Sequence, residues 1–253
     1  MDEITSADPF SLSGKKFLVT GASSGIGNET CRSIVRQGGS FIAVARREDF
    51  LKNLVEEVGG DNLYIIADLS DLNDIRKVVQ EIPSLDGLVH SAGIAGMAPL
   101  KFYNEEEMNR MRIINFDSIV HLVSLMSKHK KINKAGSIVL VSSIAASFGT
   151  TGNGIYAATK GALLSIANVW ANELAKMKIR VNSVSPGMVR TEITTQFINN
   201  LSSEVVDIDV KKYPLGYGES EDVANPIIFL LSPASKWMTG QNLILDGGRT
   251  TCL

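Results

Sequence analysis

Seven short runs rich in Val, Ile and Leu recur along the chain: "KFLVT", "SFIAVA", "LYIIAD", "GLVHSA", "SIVLVSS", "RVNSVS" and "NLILD". Runs that stay apolar on successive residues suit strands covered on both faces. Segments of helical period separate them, at about 25–38, 47–58, 71–82, 104–130, 154–177 and 220–231. Strands that alternate with helices return to the same end of a sheet and so run parallel. The pattern predicts an α/β chain with a doubly wound, seven-stranded, mostly parallel sheet and helices on both faces. No composition shift, repeat or low-complexity linker divides residues 1–253, so one domain is expected. Only the stretch from about 190 to 218 breaks the rhythm, which suggests either a substrate lid or a cover for an apolar edge.

Bulk chemistry narrows the partners. A net charge of −2 with a pI near 6.0 gives no electrostatic reason to expect nucleic acid or an anionic membrane. Cys31 and Cys252 show no metal spacing and are too few for a disulfide framework, and His90, His121 and His129 have no ligand spacing, so no metal is expected. The start "MDEITSADPFSLSGKK" is acidic where a secretion signal is basic, and no run of about 18 apolar residues follows. A cytoplasmic protein with a small ligand is the expectation.

The loop "TGASSGIG" joins the first strand to the first helix and places Gly21, Gly25 and Gly27 where a backbone could turn sharply and approach a pyrophosphate at a helix N-terminus. At the end of the second strand stand Arg46 and Arg47. Arginine there accommodates the 2′-phosphate of NADP, whereas NAD is normally met by an acidic residue; two solvated arginines beside Glu48 and Asp49 are the alternative. Asp68, with Leu69 beside it, could accept from an adenine amino group or cap the next helix. Ala92 and Gly93 would let the backbone pass close to the same ligand.

Tyr156 and Lys160 lie four residues apart in "GIYAATKGALL" and project from one face of a helix. They could simply snorkel to solvent. The helix at 154–177 is apolar nearly all round, which calls for burial on both sides, most economically against another subunit.

Together these residues make the chain resemble the short-chain dehydrogenase/reductase superfamily, from about Ser13 to Gly248. The motifs are TGASSGIG, Asp68-Leu69, Ser91-Ala92-Gly93, Asn115, Ser143, Tyr156-x-x-x-Lys160, Pro186-Gly187 with Thr191, and "TGQNLILDGG". The resemblance implies a Rossmann-type fold and a role for each position. Tyr156 would be the general acid/base, and Lys160 would supply positive charge and bond the nicotinamide ribose. Ser143, with Ser142 as the neighbour to be distinguished from it, would bond the substrate oxygen, and Asn115 would hold a water in the proton relay. Gly21, Ser23, Ser24, Gly25, Ile26, Gly27, Arg46, Arg47, Asp68, Leu69, Ser91, Ala92, Gly93, Pro186, Gly187, Val189 and Thr191 would bind cofactor together with Tyr156 and Lys160.

Two departures from the family pattern stand out. His90-Ser91 replaces the usual Asn-Asn, and Ala22-Ser23-Ser24 lacks the basic residue that many NADP-using relatives carry in the loop. The expected activity is NADPH-dependent reduction of a ketone, a 3-oxoacyl thioester or similar small carbonyl compound, with NAD the lesser cofactor and a homotetramer the implied assembly. A carrier-bound substrate would find basic residues in "SKHKKINK", 127–134, although such a run is usually a solvated helix end. A sugar or polyol dehydrogenase and a non-catalytic cofactor sensor are the competing readings. Ala145, Phe148, Met188 and Met97 suggest a partly apolar pocket.

Overall fold

The computed structural model describes residues 8–192, 194–195 and 203–251. The chain opens with β1 (Lys16–Thr20), α1 (Gly25–Arg36), β2 (Ser40–Ala45) and α2 (Glu48–Val58). It continues through β3 (Leu63–Ile66), α3 (Leu72–Glu81) and β4 (Leu85–His90). Next come α4 (Glu105–Arg112), α5 (Ser118–Lys128), β5 (Ile132–Val141), α6 (Gly154–Leu174) and β6 (Arg180–Pro186). The last elements are β7 (Val189–Arg190), α7 (Ser203–Val210), β8 (Gly218–Glu219), α8 (Ser220–Leu231) and β9 (Asn242–Leu245).

Seven strands form one parallel sheet in the order β3-β2-β1-β4-β5-β6-β9. Alternate side chains divide the core between its faces. Phe17 and Val19 pack with Ile34 of α1, Leu51 of α2 and Ile227 of α8, while Leu18 packs with Val78 of α3, Leu122 of α5 and Leu163 of α6. Each fully buried aliphatic side chain contributes about 1.5–3 kcal/mol, so both faces anchor the sheet. The order reverses between β1 and β4, and the loops leaving their carboxyl ends diverge around a crevice where such folds bind ligands.

The structure refines the sequence-based expectations in three places. The helix expected at 104–130 is α4 and α5 joined by a π-helical turn, Ile113–Asp117, whose wider winding turns Asn115 into the protein. The irregular stretch after residue 190 holds α7 and a two-residue parallel pairing of β7 with β8. Two-residue strands are too short to leave a hydrophobic period, and α7 exposes Val205 and Ile208, so neither has the pattern of a core element. The lid expectation falls partly on residues 193 and 196–202, outside the described residues. Within this chain α6 buries one side, through Leu163, Ala167 and Ala171, and leaves Val169 exposed.

Candidate active site

A cavity of about 490 Å³ occupies the crevice at the carboxyl ends of the strands. It is lined by the sequence-predicted residues Gly21, Ser23, Ser24, Gly25, Ile26, Arg46, Arg47, Asp68 and Leu69, and on its other side by Ser91, Ala92, Gly93, Ser143, Tyr156, Lys160, Pro186, Gly187, Val189 and Thr191. Gly27 and Asn115 do not line it. Gly27 has a packing task, because a Cβ there would lie 2.4 Å from the Gly21 carbonyl oxygen. Gly21 itself, at φ +69°, would bring a Cβ within 2.7 Å of the Ala92 nitrogen, so glycine lets the two crevice loops touch.

The cavity fits a dinucleotide at its phosphate end. Ser24, the residue that precedes α1, makes no side-chain cap, and the first turn holds no acidic residue, which leaves the positive end of the helix open to an anion. The two arginines differ. Arg47 donates to the Ser23 hydroxyl (3.2 Å), the Ser23 carbonyl (3.1 Å) and Glu192 (2.9 Å), and stacks on the Phe50 ring at 4.1 Å. Arg46 is 65% exposed and among the described residues pairs only with Asp68, at 3.7 Å, so it is the freer of the two to meet a phosphate. Asp68 accepts from the Ser70 amide and hydroxyl at 2.9 and 2.8 Å, whereas Asp71 caps α3. Burial pushes the Asp68 pKa upward, but the Ser70 bonds and the Arg46 charge outweigh it and hold the carboxyl below its ordinary value.

At the other end, Tyr156 and Lys160 share one face of α6, with the ammonium 5.8 Å from the centre of the phenol ring. Lys160 donates to the Val141 carbonyl at 2.9 Å, and burial lowers its pKa to about 8. Burial raises the Tyr156 pKa, and a hydrogen bond with Ser143 opposes the rise without cancelling it. The Lys160 charge therefore does not bring the phenol below its ordinary value in the free protein. Ser142 and Ser143 separate cleanly: the Ser142 hydroxyl is spent on the Lys160 carbonyl (2.9 Å), while Ser143 bonds Tyr156. Asn115 sits behind this group. Its Oδ1 accepts from Ile94 N–H (2.7 Å), and its Nδ2 donates to the Ile94 carbonyl (2.9 Å) and the Thr159 hydroxyl (3.1 Å).

Thr159, Glu192 and Thr194 were not predicted from the sequence. Thr159 had a signal, since it falls between Tyr156 and Lys160 on the helix. Glu192 had none, because only the fold brings it to Arg47, while Thr194 bonds Thr191 within one local turn. A second cavity, about 250 Å³, lies beside Ile155 and is lined by Met97, Phe102, Met108 and Met111.

His90 takes up the departure from the family pattern. Its Nδ1 meets the Thr20 hydroxyl at 2.9 Å, and that hydroxyl accepts from Ala92 N–H at 3.3 Å, so the ring braces the two crevice loops. Nε2 is buried without a partner among the described residues. Burial, and then the Lys160 charge, depress its pKa from 6.5 to about 3. The unfolded chain takes up a proton here between pH 6.5 and about 3 that the folded chain refuses, so stability falls as pH drops through that window. Thermal melts should show His90→Asn losing a few kcal/mol less than the unaltered protein between pH 7 and 4. Parallel curves would exclude His90 as the source.

Strand order, a glycine loop at the reversal, and a serine, tyrosine and lysine at one cavity define a nucleotide-binding oxidoreductase. The chain belongs to the short-chain dehydrogenase/reductase superfamily, whose members act on CH–OH and C=O groups: a family model described as enoyl-(acyl carrier protein) reductase matches residues 21–250. Among curated proteins, a 3-oxoacyl-[acyl-carrier-protein] reductase of Thermotoga maritima is 34% identical over 246 residues, covering 94% of this chain and 98% of the relative. A short-chain type dehydrogenase/reductase from Mycobacterium ulcerans superposes with a TM-score of 0.88 at 31% identity, over 96% of this chain and 92% of the other. A gluconate 5-dehydrogenase from Burkholderia cenocepacia, in complex with NADP and tartrate, superposes with a TM-score of 0.88 at 25% identity, over 97% of this chain and 99% of the other. No described helix is long and apolar enough to cross a membrane, and no group of three or more described His, Cys, Asp or Glu residues could hold a metal.

Proposed function

We propose that this protein is an NADPH-dependent reductase of a small ketone, with the whole chain as one catalytic domain. The reading rests on one observation: Ser143, Tyr156 and Lys160 line the same cavity as the phosphate loop. NADPH, when bound, supplies the hydride. The Ser143 hydroxyl donates to the ketone oxygen as negative charge develops on it, and Tyr156, protonated at neutral pH, passes its proton to that oxygen. Lys160 holds a positive charge beside the phenol and would donate to the ribose of a bound cofactor; an anionic ligand in the cleft favours its charged form. Asn115 fixes the Ile94 backbone and, through Thr159, the face of α6 that carries both groups.

The 3-oxoacyl reductase among the relatives makes a 3-oxoacyl thioester a substrate to test, and the gluconate dehydrogenase gives a polyol or sugar acid the same standing. Monitoring NADPH oxidation against acyl thioesters, keto sugars and simple ketones tests the reading. Failure of every ketone, with cofactor still bound, would point to a sensor. The apolar sequence of α6 is the reason to expect a homotetramer, which sedimentation would test.

On cofactor choice, Arg46→Asp is expected to cut NADPH affinity roughly tenfold to hundredfold and to spare NADH, because a charge-assisted phosphate contact is lost. Fluorescence titration with both nucleotides decides it. Equal affinities in the unaltered protein would end the NADPH assignment.

A further inference from the structure

Three segments distant in sequence meet around one guanidinium beside the cavity wall. Phe148 lies in the loop that Ser143 opens, and its N–H donates to the Ile144 carbonyl at 2.8 Å. Tyr213 follows α7, and its hydroxyl bonds the Met188 backbone. Its ring also closes on Gly187, where a Cβ would lie 2.9 Å away. Arg249 sits over both rings, 4.6 Å from the centre of Phe148 and 5.8 Å from that of Tyr213. Ser143 and Gly187 both line the main cavity, and the Tyr213 ring that Arg249 meets packs against that wall at Gly187.

Its position is built by the backbone. Gly247 and Gly248, at φ +56° and +88°, reverse the chain after β9, and Leu215 N–H donates to the Gly247 carbonyl at 3.0 Å. The Asp246 carboxylate accepts from the Gly248 amide (3.0 Å), the Thr250 amide (2.7 Å) and the Thr250 hydroxyl (2.7 Å). The nearest acid in sequence is thereby committed to its own turn. Among the described residues no carboxylate lies within ion-pair distance of Arg249. The half-buried guanidinium lies over the Phe148 ring and carries a planar fork of N–H donors that matches a carboxylate or phosphate.

We infer that Arg249 receives an anionic group of the substrate while the ketone lies against Ser143 and Tyr156. The inference rests on the reductase reading and narrows it to charged substrates: oxo acids, or thioesters that carry a phosphate on the carrier side. Neutral ketones lack the group this arginine is placed to meet.

The test is calorimetric titration of the NADP-loaded protein with acetoacetate and levulinate, each against its methyl ester, and with 3-oxobutyryl-coenzyme A against the neutral N-acetylcysteamine thioester. At least one charged ligand should bind roughly tenfold to hundredfold more tightly than its neutral counterpart. Arg249→Gln should erase that preference without altering binding of the neutral ligand or of NADP, and Arg249→Lys should keep part of it. A preference among the oxo acids assigns the site to a carboxylate, and one confined to the coenzyme A thioester assigns it to a phosphate. Equal binding of charged and neutral forms, no binding of any, or a preference that survives Arg249→Gln overturns the inference. NADPH oxidation followed in parallel keeps the two readings apart: Arg249-dependent binding without turnover would retain the anion site and sink the reductase.

Discussion

Tyr156→Phe should cut turnover by on the order of a hundredfold or more while leaving the melting temperature and NADPH affinity nearly unchanged. The substitution removes one oxygen and keeps the ring on α6. What is lost is a proton, held where burial has raised the phenol pKa and Ser143 bonds it. A phenol that stays protonated through neutral pH can give that proton to a reduced ketone, and phenylalanine cannot. Because the raised pKa lies above the working range, reduction should show no loss of rate near pH 7 that is traceable to this group. Single-turnover kinetics with excess enzyme separates the chemical step from cofactor binding, which fluorescence titration reads independently. Near-normal single-turnover rates would remove Tyr156 from the mechanism. A large loss of NADPH affinity would instead assign it to binding.

The sheet was legible because its strands are covered on both faces: Phe17, Leu18 and Val19 are all buried, and three consecutive apolar residues beside a glycine loop suit a strand that has no solvent face. The cavity wall was legible for a different reason, since glycine loops and the Tyr-x-x-x-Lys spacing leave local marks. Asn115 was named without its setting, because nothing in "RIINFDS" announces a π turn. Arg249 carried no sequence signal at all. Its place depends on the reversal at Gly247–Gly248 and on contacts with Phe148 and Tyr213, 101 and 36 residues earlier, and pairings of that range leave no local pattern. His90 was visible as a departure, but only the structure supplies Thr20 as its partner and the burial that holds its pKa well below the ordinary value.

Lys160→Met should likewise cost on the order of a hundredfold or more in turnover, and it should move stability in a way that depends on pH. Lys160 is 5% exposed, and its pKa falls from 10.5 to about 8 through burial. A lysine depressed on folding is one the unfolded chain protonates more readily, so its burial disfavours the native state fully below about pH 8. That cost fades as pH rises through the window to about 10.5, where both states become neutral. The cost at pH 7 is on the order of 3 kcal/mol. Methionine of similar length removes it, although the Val141 carbonyl then loses its donor, at a cost of about 1–3 kcal/mol. The sign of the net change at one pH therefore decides little; the slope decides. Thermal melts should show the unaltered protein gaining on Lys160→Met as pH rises from 8 to 10.5, with no such gain between 6 and 7.5. A gain already running between pH 6 and 7.5 would mean that Lys160 is neutral in the folded protein even at pH 7, and a difference constant across both ranges would mean that it is charged and solvated. In either case the ammonium beside Tyr156 would lose its place in the proposed proton transfer. If the slope appears and NADP flattens it, the cofactor is holding the charge that burial alone disfavours.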